Sequence, residues 1–154
     1  MAFAADLLPL AVTGRLSDEA WRTEAGNRLR AAYPEADASG AVAGWSSSPG
    51  VINQPVLDLL RQRRVPVALI TNATSRLPQD LTALGLDGEF DHIINSSCLG
   101  IAKPDPGIFT VALQALGLPA DQVLFVDDDA RHVNAAEGLG IRGYQFQGDV
   151  TELE

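Results

Sequence analysis

The chain has 154 residues, a net charge of −9 and one cysteine. This length is that of one domain, or of one domain with a small appendage, and 46% hydrophobic residues are too many for a disordered chain. The negative charge argues against nucleic acid or an anionic membrane surface as a partner, and the apolar runs are too short to span a bilayer. The single Cys98 excludes an internal disulfide and fits a reducing compartment, so we expect a cytoplasmic protein.

The sequence divides into two parts, residues 1–48 and residues 49–154. The first part has no strand pattern. Ser17 is a good N-cap for a helix with one apolar stripe, which Tyr33 ends, and a loop rich in Gly, Ser and Ala is predicted to follow. We also expect a helix within residues 1–14.

The second part alternates between helices and strands. Apolar runs predict strands at 65–70, 90–94, 123–126 and 141–146, and helical apolar spacing fills the intervals between them. The third run contains no polar residue, which is typical of a strand buried on both faces. Because strands separated by helices of this length need right-handed crossovers, the sequence predicts an α/β fold with a parallel, doubly wound sheet.

Three consecutive carboxylates, Asp127, Asp128 and Asp129, follow the third predicted strand and directly precede a helix. The carboxyl ends of parallel strands line the crevice where open α/β sheets bind ligands. Adjacent like charges repel, so a hard divalent cation such as Mg²⁺, which prefers oxygen ligands, is one explanation for this cluster. The alternative is that one aspartate caps the helix and the others are solvated.

Polar groups also follow the first predicted strand. Thr71 and Asn72 lie between that strand and the next helix, where a hydroxyl and an amide offer hydrogen-bond donors to an anion. The alternative is a plain N-cap, with Thr74 or Ser75 starting the helix.

Lys103 lies in a predicted strand-to-helix loop and is followed by Pro104 and Pro106. Proline fixes its own φ and restricts the residue before it, so the lysine is held in extended backbone. A surface lysine is usually only solvated, but a lysine whose backbone is fixed by rigid neighbours is better suited to neutralise the charge of a nearby group. The sequence therefore predicts that polar groups from three strand ends converge at one edge of the sheet.

This set of motifs, in this order, resembles the haloacid dehalogenase-like (HAD) hydrolase superfamily over residues 51–146. LITNAT, GIAKPDPGIF and FVDDDARHVNAAEGLGI are similar to its second, third and fourth motifs. The resemblance implies an Mg²⁺-dependent phosphatase with Thr71 and Lys103 as catalytic groups, Thr71, Asn72 and Lys103 around the phosphate, and Asp127 and Asp128 around the Mg²⁺. It also implies that residues 1–48 are part of the helical cap, which selects the substrate.

The family's first motif, a buried strand that ends in Asp-x-Asp, does not occur in this sequence. In the family its first aspartate attacks phosphorus and its second is the general acid/base. The segment at residues 3–8 is a poor match, because it places Ala4 at the nucleophile position and no Gly-Thr follows. We therefore expect a HAD core without its first strand, as a late start codon, an artificial truncation or a natural degenerate copy would give.

In the family this strand lies between those that carry the second and fourth motifs. Its loss would leave two open strand edges, and open edges favour pairing with another chain, so we expect a homodimer. The resemblance implies hydrolysis of a small phosphorylated metabolite through an aspartyl-phosphate, and we expect this chain to be inactive as it stands. The alternatives are a non-catalytic protein that binds anion and metal, and a dehalogenase acting on a halogenated acid.

Overall fold

The structure is a computed structural model that describes residues 5–47 and 50–152. In that part of the chain the helices are α1 (Leu8–Val12), α2 (Asp18–Ala32), α3 (Ala38–Ser46), α4 (Gln54–Gln62), α5 (Leu77–Ala83), α6 (Ser96–Leu99), α7 (Pro106–Leu116) and α8 (Ala130–Glu137). The strands are β1 (Ala68–Thr71), β2 (His92–Asn95), β3 (Leu124–Asp127) and β4 (Arg142–Gln145). None of the helices within these ranges is long and apolar enough to cross a bilayer.

The four strands form two parallel pairs. β1 pairs with β2, so that Thr71 lies opposite Asn95, and β3 pairs with β4, so that Asp127 lies opposite Gln145. Helices connect the strands along the chain, which confirms the predicted α/β fold with parallel strands. Within the described residues β1 and β3 share no ladder of hydrogen bonds, so the strands form two separate pairs and not one continuous sheet.

The main core lies on the face of both strand pairs that α7 and α8 cover. Phe109 of α7 is fully buried, and its ring meets that of Phe125 edge to face at a centroid distance of 5.0 Å. The prediction that the third strand is buried on both faces is wrong, because the Leu124 and Val126 side chains are 52% and 39% exposed. Alternate residues of a strand point to opposite faces, and α7 and α8 cover only the Phe125 face.

The N-terminal helices have a small core of their own, centred on Trp21, whose ring meets Trp45 edge to face at 4.9 Å. α2 begins as predicted, because the Ser17 Oγ accepts a hydrogen bond from the Ala20 backbone N–H at 3.2 Å. Of the helix predicted within residues 1–14, the structure shows α1, and residues 1–4 lie outside the described part.

The loop predicted after α2 is partly wrong, because α3 occupies residues 38–46. The Asp37 carboxylate accepts a hydrogen bond from the Gly40 backbone N–H at 2.8 Å and so caps this helix. Its alanines favour helix, and Trp45 packs against the N-terminal core. Capping and packing together outweigh the two glycines that suggested a loop.

A tight turn brings the N-terminal helices against the strand region. Gly14 has a φ of +69°, and a Cβ at this position would lie 2.1 Å from the Ser97 carbonyl oxygen of α6. Glycine is therefore required at this contact both for its backbone conformation and for the close approach.

Candidate functional site

Lys103 connects the carboxyl ends of β1 and β3. Its backbone N–H donates to the Asn72 Oδ1 at 2.7 Å, and the Asn72 Nδ2 donates to the Lys103 carbonyl at 2.9 Å. Its ammonium Nζ donates to the Asp127 Oδ2 at 2.5 Å. The structure therefore brings three of the predicted site residues together at one edge, within the reach of a single lysine side chain.

The Lys103–Asp127 ion pair is buried, with 10% and 8% of the two side chains exposed. Burial alone would raise the pKa of the Asp127 carboxyl, but hydrogen bonds from the Lys103 ammonium and the Asp129 backbone N–H outweigh burial and hold the pKa below its usual value. The His132 Nδ1 lies 3.1 Å from the Asp127 Oδ1. This carboxylate is therefore ionised at neutral pH and held by several donors.

The other two carboxylates after β3 have different surroundings. Asp129 is the N-cap of α8 and accepts from the Arg131 backbone N–H at 2.8 Å, and the Arg131 guanidinium holds the pKa of this carboxyl well below its usual range. Asp128 is exposed, and its carboxylate has no hydrogen-bond partner among residues 5–47 and 50–152. The helix-capping alternative thus describes Asp129, while the consecutive residues Asp127 and Asp128 carry a buried and an exposed carboxylate.

Thr71 is the last residue of β1 and is half-buried, and its hydroxyl makes no hydrogen bond within the described residues. Thr74 and Ser75 do not start the next helix, because α5 begins at Leu77 without a side-chain cap. The plain N-cap that the sequence offered as an alternative is therefore not formed at α5, although the Thr74 Oγ accepts a long hydrogen bond from the Arg76 backbone N–H at 3.4 Å in the turn before it. The segment 71–75, called the β1 loop below, leaves the Thr71 hydroxyl available at the sheet edge.

Sequence reasoning missed two polar residues at the end of β2 that hold the β1 loop. The Ser96 Oγ, fully buried, donates to the Ala73 carbonyl at 3.3 Å, and the Asn95 Nδ2 donates to the Thr74 carbonyl at 3.1 Å. Both follow a predicted strand at its carboxyl end, so the rule that selected Thr71 applies to them as well.

Asp127 and Asp128 offer oxygen ligands of the kind that Mg²⁺ prefers, and Asp128 has a free carboxylate. Among residues 5–47 and 50–152 no three His, Cys, Asp or Glu side chains cluster in a way that could hold a metal alone. Mg²⁺ commonly takes one or two protein carboxylates and completes its octahedron with water and phosphate oxygens. The donor set therefore fits Mg²⁺ bound together with a phosphate better than it fits a closed protein cage.

A family model described as haloacid dehalogenase-like hydrolase matches residues 15–140, which is most of the chain. The chain belongs to the HAD-like hydrolase family. This match confirms the resemblance that the second, third and fourth motifs indicated.

Two individual relatives agree with this assignment. The chain is 39% identical over 90 residues to haloacid dehalogenase-like hydrolase domain-containing protein 3 of Danio rerio, a match that covers 56% of this chain and 37% of the relative. It is 35% identical over 101 residues to a phosphoglycolate phosphatase of Pectobacterium atrosepticum, a match that covers 61% of this chain and 43% of the relative. The chain thus spans less than half the length of these two relatives.

A solved structure supports the fold. A HAD family enzyme from Bacteroides thetaiotaomicron, in complex with magnesium and inorganic phosphate, superposes with a TM-score of 0.74 at 22% identity. The match covers 94% of this chain and 77% of that one. The two strand pairs and the N-terminal helices together therefore adopt a HAD-like arrangement.

Proposed function

We propose that this HAD chain carries the phosphoryl-binding and Mg²⁺-binding groups of a phosphatase-type site for a small phosphorylated metabolite. The observation that supports this most directly is the buried Lys103–Asp127 pair at the carboxyl end of β3, followed in the chain by the exposed Asp128, whose carboxylate has no partner among the described residues. A chain with a net charge of −9 repels anions in general, so an anionic substrate needs local cations of this kind.

Each side chain has a role that follows from its contacts. The Thr71 hydroxyl, which has no partner among the described residues, would donate to a phosphoryl oxygen. The Lys103 ammonium has three N–H donors and uses one on Asp127, so the others are available to neutralise charge that develops on the phosphoryl group. The Asn72 amide, occupied at both ends, holds the lysine loop in place. Its assignment as a phosphate ligand stays a prediction.

Asp127 and Asp128 would hold the Mg²⁺. When bound there, Mg²⁺ supplies positive charge that polarises the phosphoryl oxygens and orients the phosphate. Lys103 keeps Asp127 ionised and fixed in orientation. The helices α1–α3, with the rest of residues 1–48, are proposed as part of the cap, and a halogenated acid is the alternative substrate on the same scaffold.

We further propose that the attacking carboxylate comes from a strand that is not among the described elements. The Asp127 carboxylate is held by several donors and Asp129 caps α8. Among the described residues β1 pairs only with β2 and β3 only with β4, so each has one edge without a partner strand. The proposal places the attacking strand between these two edges, at a position that we call the central gap. The HAD resemblance assigns the first-motif strand to this place. Without such a carboxylate the chain forgoes covalent catalysis and acts as an anion-binding and metal-binding protein.

The open edges at the central gap also support the proposal of a homodimer. Unpaired strand edges favour pairing with another chain, and β3 also exposes Leu124 and Val126 on the face that α7 and α8 do not cover. Sedimentation equilibrium should show self-association that a Val126→Lys variant weakens. A wild-type chain that stays monomeric at high concentration would contradict this proposal.

Isothermal titration with inorganic phosphate, at saturating Mg²⁺, tests the proposed site. We expect binding by the wild type, loss of most of it in Thr71→Val and Asp128→Asn, and no change in Asp121→Asn. Asp121 is the matched control because it is exposed and lies just before the amino end of β3, at the opposite end of the strand from the site. Equal binding by Asp128→Asn and Asp121→Asn would remove the β3 carboxylates from the site.

A further inference from the structure

We propose that Asp18 of α2 is a positioning residue that holds the β1 loop in the conformation that presents Thr71. This inference rests on the proposed function, because it assigns Asp18 a role in phosphate binding. Asp18 lies far from Thr71 in sequence, in the N-terminal helical part, and no sequence motif marks it.

Asp18 makes two contacts with consecutive residues of the β1 loop. The Thr74 hydroxyl donates to the Asp18 Oδ1 at 2.8 Å, and the Asp18 backbone N–H donates to the Ser75 Oγ at 3.1 Å. Asp18 is also buried, with 7% of the residue exposed. A carboxylate is buried favourably only where donors surround it, and one of the donors here comes from the loop.

The Asp18 carboxylate does not serve to cap its own helix. Ser17 performs that function for α2 through its bond with the Ala20 backbone N–H. The Asp18 oxygens instead accept from the Arg22 guanidinium at 2.5 and 3.2 Å and from Thr74. The position of the carboxylate is thus set jointly by α2 and by the β1 loop.

Arg22 extends this connection to α3. Its Nη1 donates to the Ser46 Oγ at 2.9 Å, and its guanidinium lies 4.4 Å from the centroid of the Trp45 ring. A guanidinium at this distance over a tryptophan ring is attracted to it. Asp18 and Arg22 together therefore connect the packed helices α2 and α3 to the β1 loop.

The β1 loop is held by groups from two different parts of the chain. Ser96 and Asn95 of the strand region bind the carbonyls of Ala73 and Thr74, while Asp18 binds the two hydroxyls that follow. If the Asp18 contacts are removed, the loop keeps its carbonyl bonds but gains alternative conformations. A ligand that needs one conformation then binds more weakly in proportion to the lost population.

The test compares four variants in titrations with inorganic phosphate at saturating Mg²⁺, together with urea unfolding of the same samples. Thr74→Val removes the hydroxyl at nearly constant shape, Thr74→Ser keeps it, and Asp18→Asn removes the charge. Glu24→Gln is the matched control, since Glu24 is another α2 acid that pairs with an arginine four residues later, Arg28, and forms no described bond to the loop.

We expect Thr74→Val and Asp18→Asn to raise the Kd for phosphate at least about fivefold, and Thr74→Ser and Glu24→Gln to match the wild type. A merely structural role would lower the free energy of unfolding without changing the Kd of the folded protein. Thr74→Val with a wild-type Kd would overturn the inference and leave the proposed function intact. A wild type that binds no phosphate would overturn both. The Thr74 hydroxyl also accepts from the Arg76 backbone N–H at 3.4 Å, so if Asp18→Asn does not fold, Ser75→Ala replaces it, because Ser75 accepts from the Asp18 backbone N–H. Ser75→Ala should then raise the Kd, and a wild-type Kd would overturn the inference.

Discussion

The buried Lys103–Asp127 pair gives the sharpest stability prediction. Lys103→Met keeps most of the aliphatic stem and removes the ammonium, which leaves the Asp127 carboxylate buried without its cation. Removing one partner of a buried ion pair typically destabilises a protein by about 3–5 kcal/mol. Asp127 keeps the Asp129 backbone N–H and the His132 ring as neighbours, so we expect the lower end, about 3 kcal/mol. For a chain of this size the Tm should fall by about 6–12 °C.

Differential scanning calorimetry of single and double variants measures this effect. Adding Asp127→Asn to Lys103→Met should recover much of the lost Tm, because no buried charge then remains unpaired. Arg61→Met is the control, since the Arg61 side chain of the Arg61–Glu89 pair is about half exposed and should contribute little. A Lys103→Met protein whose Tm lies within about 2 °C of the wild type, or a double variant less stable than the single one, would refute this reasoning.

Three further predictions concern stability. The pKa of the Asp127 carboxyl is lowered in the folded protein. The ionised carboxylate therefore stabilises the fold fully above the usual carboxyl pKa of about 3.9, and this stabilisation is lost as the pH falls through the lower pKa of the folded state. In urea titrations from pH 6 to pH 2, the free energy of unfolding of Asp127→Asn should therefore fall less than that of the wild type. Gly14→Ala should lower the Tm, because its Cβ would lie 2.1 Å from the Ser97 carbonyl at a φ of +69°, and an unchanged Tm would contradict that contact. Phe109→Ala should destabilise the fold by about 3–5 kcal/mol in urea unfolding, since the side chain is fully buried against Phe125; a loss under about 1 kcal/mol would argue against that core.

Local signals in the sequence predicted several elements well. The apolar spacing of residues 108–116 predicts the helix α7, and the residue types of Asp105 and Gly117 predict its N-cap and its end. The structure confirms both, because the Asp105 carboxylate accepts from the Gly107 backbone N–H and Gly117 lies in the left-handed region. α2 was likewise defined by the Ser17 cap. Caps and turns depend on neighbouring residues, so the sequence alone contains the needed information.

The burial of side chains and the formation of helices that depend on packing between distant elements could not be predicted in this way. The run 123–126 is uniformly apolar, but the exposure of Leu124 and Val126 depends on which helices cover each face of β3. α3 was missed because its stability depends partly on Trp45 packing against the N-terminal core, a contact between helices that no local pattern encodes.

At the candidate site the sequence predicted the residue types but not their partners. The carboxyl-end rule for parallel strands selected Thr71 and Asp127, while the neighbouring prolines selected Lys103. The prediction that Lys103 lies in a strand-to-helix loop is wrong, because α6 separates it from β2. The Asn72 amide binds the backbone of Lys103, and Asp18 reaches the β1 loop from α2. Both contacts join residues that are far apart in sequence, so no local sequence pattern predicts them.

On this proposal the chain holds a phosphatase-type site that needs an attacking carboxylate from a strand in the central gap. A phosphatase assay with an aryl phosphate and Mg²⁺ tests it most directly, on the chain alone and on a chain extended at its N-terminus by a strand that ends in Asp-x-Asp. We predict negligible turnover by the chain alone, and turnover by the extended chain that Asp128→Ala abolishes. Mg²⁺-dependent turnover by the unextended chain, lost in Asp128→Ala, would show that the described residues already supply the attacking group.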